Sequence, residues 1–528
     1  MKNRKIWYGL TALAAAWLFD YLFWDKAAGI SFLVWIVALL AIGYLTAWQE
    51  NKKPSVWSYL LTAAILGFAV IAAWRSEGLT RFTSIVMALL GCLLLVATFL
   101  NGHWISFRLF DYAAELSRAV WAGLSRAFGL FTHGELSTAE NQPPTLPGET
   151  KKPRRLGSVL LGVVIALPIL LIFGLLLVSA DPIYGDFIKK LFTIERLPEY
   201  LFRFFYIVVG TYVLIGLYLH AAAPKNEAVK PDTNKPYVQP FLGPIEGNIV
   251  LGLVNVLFLS FVIVQIRYLF GGSANISETG YTYSEYARKG FGELVGVAVL
   301  SLMMYLVFNA ITKRESKAAR GLFSGFSILL IANVLVILAS SLMRLLMYED
   351  AYGFSDLRTY THFFIFWLAG LLLAAIVLEL VHKRGYFGLA LMIFMVGYSA
   401  TLGLVNVDRF VTEKNIARIS HGYDLDVEYL SQLSSDAVPA MMQTYLQTTP
   451  SQGIHDELGS ELACRAYPLK NRPAQPWQSF RFGEARAEKL LLEHQSDWSK
   501  YKVVSSNNGL QATYKGETYS CNTYLYMD

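Results

Sequence analysis

Long apolar runs recur along most of this chain and constrain its fold more than any other feature. Each run is close to the roughly 20 residues that an α-helix needs to cross a bilayer. Charged residues make up 16% of the chain, whereas soluble domains carry roughly 25%. A chain in lipid must satisfy its backbone polar groups internally, which a helix does. The sequence therefore predicts a mainly α protein, a polytopic transmembrane helical bundle.

Hydropathy predicts about eleven spans. They lie near 7–24, 28–48, 57–74, 81–100, 157–179, 198–220, 246–269, 291–311, 323–347, 361–381 and 385–404. The first run is the weakest because it is short and contains Asp20. No small-residue cleavage site follows MKNRK, so we expect this run to be retained as a span.

Basic residues between the spans predict the orientation. Alternate connectors separate the lysines and arginines into two sets, and one set is roughly twofold richer. The richer set includes MKNRK at the start, KKPRR before the fifth span and KRESKAAR before the ninth. The positive-inside rule places this set and the N-terminus in the cytoplasm. An odd number of spans then places the C-terminus outside, in the periplasm or at the cell exterior.

Two domains follow from this topology, a transmembrane domain over 1–404 and an extracytoplasmic domain over 405–528. Within the first, residues 101–156 begin with apolar side chains at helical spacing and end in a Pro-rich linker. The helical part predicts either an amphipathic helix on the inner membrane surface or a helix packed against the spans. The second domain combines helical segments with short β-prone runs separated by Asn-Asn-Gly and Lys-Gly, which predicts a small α+β domain.

Two of the three cysteines, Cys464 and Cys521, lie in the predicted outer domain. Oxidising compartments permit disulfides, so the topology favours a bond between these two. Two buried free thiols are the alternative.

Standard motifs of soluble enzymes do not occur in the sequence. It contains no phosphate-binding G-x-x-x-x-G-K-[ST] loop, no H-E-x-x-H, no C-x-x-C and no G-x-S-x-G. The eight histidines are scattered without metal-ligand spacing, so we expect no metal site and no cofactor. The basic inner loops are explained by topology, and nucleic acid is not an expected partner. A membrane enzyme without these motifs stays possible, and the question of catalysis stays open.

Polar residues collect near the predicted outer face and form a candidate binding cluster. They are Asp20, Asp181, Arg267, Tyr283, Glu285, Tyr286, Arg288, Arg344, Tyr348, Glu349, Tyr352, Arg358, His362 and Asp408. For any one of them, an aromatic belt or a snorkelling arginine at the bilayer interface is the favoured explanation. Because four separate connectors contribute, we expect Arg344 and Arg358 to lie close to Tyr286, Glu285 or Asp181.

The stretch MYEDAYGFSDLRTYTH, residues 347–362, supplies much of this cluster. Arg344, Tyr348 and Tyr352 are spaced to share one helical face. Gly353 is a predicted helix end and Ser355 a predicted N-cap, so the stretch predicts a tight helix–turn–helix. A charge at the membrane boundary needs a partner, and we expect an acidic or carbonyl partner for Arg344.

Three segments carry a resemblance to a known family. YLFGG with TYSEYARKGFGEL, RLLMYEDAYGFSDLRTY, and LDVEYLSQLSSDAVPAM resemble a family of bacterial polytopic membrane proteins catalogued only as a domain of unknown function. The similarity extends from the FDYLFWDKAAGIS stretch to about residue 445. The resemblance implies several spans and a location in the bacterial inner or plasma membrane, and it implies no established activity, substrate or cofactor.

These features favour a non-enzymatic envelope sensor or assembly protein that binds a ligand or a protein partner on its outer side. A permease or lipid exporter is the first alternative, although the sequence shows no clear internal repeat. A membrane transferase acting on a lipid-linked substrate is the second alternative, with outward acids such as Asp20, Asp25 and Asp181.

Overall fold

A computed structural model describes most of the chain. The described residues are 2–132, 176–191, 197–223, 239–269, 290–314, 316–449, 453–470, 472–506 and 509–521, with short pieces between 166 and 174. Most of the fifth predicted span and all of the Pro-rich linker lie outside them.

The described chain divides into two compact units. The first comprises Met1–Leu66, Ala88–Trp104 and Asp111–Ala228, and the second Gly67–Met87, Ile105–Phe110 and Val229–Asp528. The predicted domain boundary after residue 404 stays a prediction.

Helices occupy almost every predicted span. In chain order they are α1 Lys2–Phe23, α2 Ile30–Gln49, α3 Val56–Trp74, α4 Gly78–Thr98, α5 Leu109–Thr132, α6 Pro182–Leu191, α7 Leu197–Ala222, α8 Pro244–Leu269, α9 Phe291–Ile311, α10 Lys317–Tyr352, α11 Asp356–Leu380 and α12 Phe387–Val405. Within the described residues, nine are long and apolar enough to cross a membrane, namely α2 to α4 and α7 to α12. The chain is therefore a multi-pass membrane protein, and α1, over the weakest predicted span, is not one of the nine.

A buried ion pair in the first unit accommodates the acid in α1. Asp20 is only 3% exposed, and Arg203 of α7 donates to it from Nε and Nη2 at 2.9 and 2.5 Å. Tyr206, one turn further along α7, donates to the same carboxylate. The ion pair and the hydrogen bonds offset most of the free-energy cost of burying the charge of Asp20.

The amphipathic helix α5 packs against α7 in the first unit. Gly123 and Gly216 allow the two backbones to meet, because a Cβ on Gly216 would lie 2.7 Å from the carbonyl carbon of Gly123. Tyr212 of α7 also donates to the carbonyl of Leu124 at 2.6 Å. Other apolar side chains of α5, including Trp121, remain exposed. Packing against a span therefore accounts for one face of the helix, and the exposed apolar side chains are available to lipid.

Helix α10 is the centre of the membrane part of the second unit, where it packs against α8, α9 and α11. Its buried side chains include Leu330, Ile331 and Val334, which share one core with Leu372 of α11. Asn333 donates to Asn255 of α8 at 3.1 Å, and Asn255 donates to two backbone carbonyls. These asparagines form an interhelical hydrogen bond, as expected for amides inside a bundle.

The C-terminal part consists of helices and a small sheet. The helices are α13 Val407–Ile419, α14 Val427–Ser431, α15 Val438–Gln447, α16 Gly453–Ala466, α17 Phe482–Glu493 and α18 Gln495–Trp498. Strands β1 Lys502–Ser506, β2 Gly509–Tyr514 and β3 Glu517–Ser520 form an antiparallel sheet in the order β1-β2-β3. The helices enclose one core around Leu430, Met441 and Leu462. This confirms the predicted mixture of helices and a small sheet.

Local sequence explains the β2–β3 hairpin and its attachment. Tyr514 pairs with Glu517 across the predicted Lys-Gly turn, where Lys515 and Gly516 have φ of 51° and 89°. Two positive φ angles are typical of the tight turn that matches strand twist. A disulfide between Cys464 of α16 and Cys521 joins the end of the sheet to the helices, as predicted, with a Cα–Cα distance of 5.9 Å.

Candidate functional site

Three span ends meet the C-terminal helices in the second unit. They are the α3–α4 turn (residues 75–77), the α10–α11 turn (residues 353–355) and the α12–α13 boundary at Asn406. We call this region the span-end junction.

Helix caps shape each part of the junction. Gly353, with φ of 81°, ends α10, and the side chain of Ser355 accepts from Arg358 N at the start of α11, both as predicted. Asn406, with φ of 60°, caps α13 by accepting from Arg409 N. At the start of α4 the carboxylate of Glu77 accepts from Leu79 N at 2.6 Å and Thr80 N at 2.7 Å. A carboxylate at a helix N-terminus also interacts favourably with the helix dipole.

The α10–α11 turn is fastened to the C-terminal helices. Asn415 of α13 bonds both backbone groups of Phe354, accepting at 2.8 Å and donating at 2.9 Å. Tyr429 of α14 donates to the carboxylate of Asp356 and accepts from its backbone N–H at 2.9 Å. The charged stretch at 347–362 is therefore a docking turn for the C-terminal helices, and this explains why a short connector carries so many polar groups.

Buried carboxylates line the inner side of the junction. Asp436 is 4% exposed and accepts from Ser76 N at 2.8 Å, which ties the α3–α4 turn to the segment before α15. Asp408 is 1% exposed and accepts from Ser434 N at 2.7 Å through Oδ2, while its Oδ1 accepts no hydrogen bond from any residue that the structure describes. Each acid therefore fastens one element of the junction to another.

Asp408 has the most perturbed environment of these acids. Burial raises the pKa of Asp408 to about 7, and the nearby carboxylates of Asp356 and Glu77 act in the same direction. The hydrogen bonds from Ser434 oppose the shift but do not cancel it. Burial also raises the pKa of Asp436. Asp408 is therefore poised to change its charge near neutral pH.

Arg344 has the carbonyl partner that the sequence predicted. Its Nη2 donates to the side-chain oxygen of Gln265 in α8 at 3.1 Å, and Ser340 donates to the same oxygen at 2.7 Å. Gly290, where α9 begins, has φ of 94°, a conformation that favours glycine, and its missing Cβ leaves room for Nη1 of Arg344. Arg344 thus links α8 and α10, and its side chain is buried.

The remaining predicted residues of α10 and α11 brace the turn. The guanidinium carbon of Arg358 lies 4.0 Å from the ring centre of Tyr348, and Arg358 also donates to the carbonyls of Tyr352 and Gly353. Cation–π contact and carbonyl bonds hold this arginine in place. Glu349 is 1% exposed, and its Oε2 lies 3.4 Å from Nδ1 of His362. Tyr348 and Tyr352 share one helical face, as predicted, and their rings meet edge to face with centres 5.0 Å apart.

The other members of the predicted cluster are placed elsewhere or lie outside the described part of the chain. Asp20 pairs with Arg203, and Asp181 caps α6 by accepting from Ile183 N at 2.8 Å. The side chain of Arg267 and residues Tyr283, Glu285, Tyr286 and Arg288 are outside the described residues. The proposed proximity of Arg344 and Arg358 to those groups stays a prediction. Within the described residues, no group of three or more acidic, histidine or cysteine side chains is arranged to hold a metal ion.

Sequence reasoning missed Glu77 and Asp436 as parts of the site. An acid directly before the glycine that starts an apolar span is a weak signal for a cap. Sequence reasoning also missed Glu379 at the other end of α11, which is fully buried and bonded by Tyr305, Ser324 and Arg384. All polar atoms of that carboxylate are satisfied, which indicates a structural role.

The family comparison covers the larger part of the chain. The model of the family described as Domain of unknown function (DUF4153) matches residues 61–443. This range includes all three span ends of the junction. No curated protein and no solved structure matches the chain.

Proposed function

We propose a function from the premise that this chain belongs to the family described as Domain of unknown function (DUF4153). The protein acts as a non-enzymatic sensor or assembly factor of the bacterial envelope, and its span-end junction receives a ligand or a protein partner on the extracytoplasmic side. The observation that carries this proposal is the attachment of the C-terminal helices to separate span ends. Ser76–Asp436, Phe354–Asn415 and Asp356–Tyr429 each join a membrane helix end to these helices.

These attachments couple the position of the C-terminal helices to the positions of the span ends. A binding event that moves the C-terminal helices also moves the ends of α3, α10 and α11, because buried polar bonds resist separation. Packed helices transmit such movement along their length as rigid elements. The junction therefore supports a sensor or assembly role in which the outer domain and the spans respond together.

Contacts of the described residues favour this function over a permease. A permease places substrate-binding polar groups near the midplane of the bilayer. Asn255 and Asn333 instead bond each other and backbone carbonyls. Their donors are used in holding α8 to α10.

The transferase is supported less well for a similar reason. Its chemistry needs acids that are available to substrate. Asp20 is buried in a pair with Arg203, and Asp181 is engaged as a helix cap. We therefore retain the transferase only as an alternative that the substitutions below can detect.

The extracytoplasmic placement predicts a specific labelling pattern. In a Cys92→Ser variant, a bulky membrane-impermeant maleimide is expected to label Cys464 and Cys521 in intact cells only after reduction. Reduction opens the disulfide, and the outer location lets the reagent reach this domain. Because Cys464 and Cys521 are only 3% and 5% exposed, the freed thiols are labelled when the domain opens locally. Cells are labelled with and without a mild reductant, and the modified protein is quantified by gel shift. Labelling that requires permeabilised membranes would place the C-terminal helices in the cytoplasm and contradict this topology.

Loosening the junction is expected to abolish function without removing the spans. In a Gly483→Ala variant the new Cβ would lie 2.8 Å from the carbonyl oxygen of Trp74 and would collide with Asp436. Overpacking of this kind destabilises by about 1–3 kcal/mol. The rate of backbone hydrogen exchange at residues 75–77 is expected to increase. Expression of the variant in a deletion strain is expected not to restore the wild-type phenotype.

Gly370→Ala in α11 is the matched control, because beyond its own stretch of helix no described residue has an atom within 4 Å of the added Cβ. This variant should retain both slow exchange and function at equal protein level. A Gly483→Ala protein with faster exchange at the α3–α4 turn but full function would overturn the proposed role of the junction.

A further inference from the structure

A cleft of about 250 Å³ opens beside the span-end junction, within the second unit. Its walls come from the end of α3, the end of α12, and helices α13 and α17. The side chains that carry the argument are those of Trp74, Arg75, Leu404, Arg409, Glu413 and Arg486. Three arginines and two apolar span ends thus face one space.

The arginines retain hydrogen-bond donors for a ligand. Arg75 uses Nε and Nη2 on the carbonyls of Gly403 and Leu404, at 2.7 and 3.5 Å. Arg409 uses Nε on Glu413 at 2.7 Å, and Arg486 is exposed and makes no hydrogen bond to a described residue. Each guanidinium carries five N–H donors, so several remain in each case.

The charges in the cleft favour an anion. Arg75 and Arg409 both line the cleft and repel each other. Burial lowers the pKa of Arg75, Asp436 opposes this shift, and the positive charge of Arg409 adds to it. Of the two acids in the wall, Asp436 is engaged with backbone N–H groups of the α3–α4 turn. Glu413 lies at the rim, half exposed, and neutralises part of the charge of Arg409. A ligand anion would relieve the repulsion and use the remaining donors.

The position of the cleft indicates which anion it meets. Trp74 is the last residue of α3, and the exposed Leu404 is next to the last residue of α12. Both helices are candidate membrane spans, so the cleft lies where hydrocarbon gives way to head groups. Arginine forks match phosphate oxygens in a bidentate geometry. Phosphate diesters are the anions present at that depth in every phospholipid membrane.

We propose that this cleft binds the phosphate of an anionic phospholipid, with Arg409 and Arg486 on the phosphate oxygens and Arg75 behind them. The inference rests on the proposed function, because it names the ligand class of the same junction. Lipid bound here would lie against the α3–α4 turn and the start of α13. The head group would therefore act on the attachments that join the C-terminal helices to the spans.

The test is a binding titration on the purified full chain in a maltoside detergent that contains no phosphate. Phosphatidylglycerol is added, and the bound lipid is counted by native mass spectrometry alongside the melting temperature. The wild type is expected to bind saturably, and Arg409→Gln with Arg486→Gln is expected to weaken the affinity at least tenfold. Glu413→Gln is expected to strengthen binding severalfold, because it frees Arg409. Equal affinities for the wild type and the double variant would overturn the proposal.

Arg472→Gln is the matched control, since Arg472 is also a partly exposed arginine of the second unit but pairs with Glu488 outside the cleft. A parallel titration with inorganic phosphate separates the two sources of the anion. Arginine-dependent binding of lipid but not of free phosphate supports the proposal. If free phosphate bound with the same affinity as the lipid, the proposal that the ligand is a phospholipid would be wrong. These titrations do not depend on which side the C-terminal helices occupy, so they can succeed where maleimide labelling or complementation contradicts the proposed function.

Discussion

Replacing Arg465 by methionine is expected to lower the free energy of unfolding of the C-terminal helices by about 3–5 kcal/mol. The side chain of Arg465 is 1% exposed and pairs with Glu461 at 2.6 Å. Its guanidinium also donates to the carbonyls of Leu430, Ser431, Leu433 and Ser434, at 3.0 to 3.3 Å. Methionine would leave the Glu461 carboxylate and these carbonyls buried without donors.

The effect of Arg465→Met is expected to reach the span-end junction. The carbonyls that Arg465 holds belong to the segment that ends at Ser434, whose N–H donates to Asp408. The change is measured by heating the protein in detergent and recording, at each temperature, how far the C-terminal helices remain protected from trypsin. The double variant Arg465→Met with Glu461→Leu removes the orphaned charge and is expected to recover part of the loss.

Arg472→Met is the control for Arg465→Met, because the Arg472–Glu488 pair is partly exposed and such pairs contribute little. A melting temperature for Arg465→Met within the range of this control would show that the arginine network does not stabilise the domain.

Asp408→Asn is expected to stabilise the protein at pH 8 and to have little effect at pH 4. Burial raises the pKa of Asp408 from its ordinary value of 3.8 to about 7. The folded protein therefore binds this proton more tightly than the unfolded chain does. The contribution of protonated Asp408 to the free energy of unfolding is complete below about pH 4, falls as the pH rises toward 7, and is lost above 7. Between these limits this one group changes the free energy of unfolding by an amount on the order of 4 kcal/mol.

Burial gives this pH dependence its sign, and the groups around Asp408 do not oppose it with a positive charge. Glu77 from the α3–α4 turn, Asp356 from α11 and Tyr429 from α14 all surround it, and none of them supplies a positive charge. Asparagine reproduces the uncharged form and can still accept from Ser434 N. A melting-temperature difference between variant and wild type that grows from pH 5 to pH 8 is the expected observation.

Asp350→Asn is the matched control, since Asp350 is exposed and near the same turn. Its melting temperature gives the baseline for removing a carboxylate near this turn. A difference between Asp408→Asn and the wild type that stays constant from pH 5 to pH 8 would show that Asp408 is ionised in the folded protein throughout this range. Function is expected to survive the substitution in a sensor or assembly protein, whereas a transferase that used this acid would be inactive.

The membrane helices were predictable from sequence because the determining property is local. A run of about 20 apolar residues excludes a water-exposed structure whatever surrounds it. The same holds for Gly353 and Ser355, whose conformations depend on a few neighbouring residues, and for the Lys-Gly turn of the hairpin. The pairing of Cys464 with Cys521 was favoured because two cysteines share one domain that the topology places in an oxidising compartment. These features needed no knowledge of distant contacts.

Tertiary structure alone decided which polar residues meet. Asp436 and Ser76 are far apart in sequence, and so are Asp20 and Arg203, yet each pair forms a direct hydrogen bond. Periodicity and composition carry no information about such pairings, because a polar side chain at a span end fits an interfacial belt as well as a binding site. The sequence by itself therefore determined a polytopic helical protein with a C-terminal part that combines helices and a small sheet, and it favoured a disulfide between the two cysteines of that part. The packing of distant span ends against that part decided where its buried acids and its arginine cleft lie.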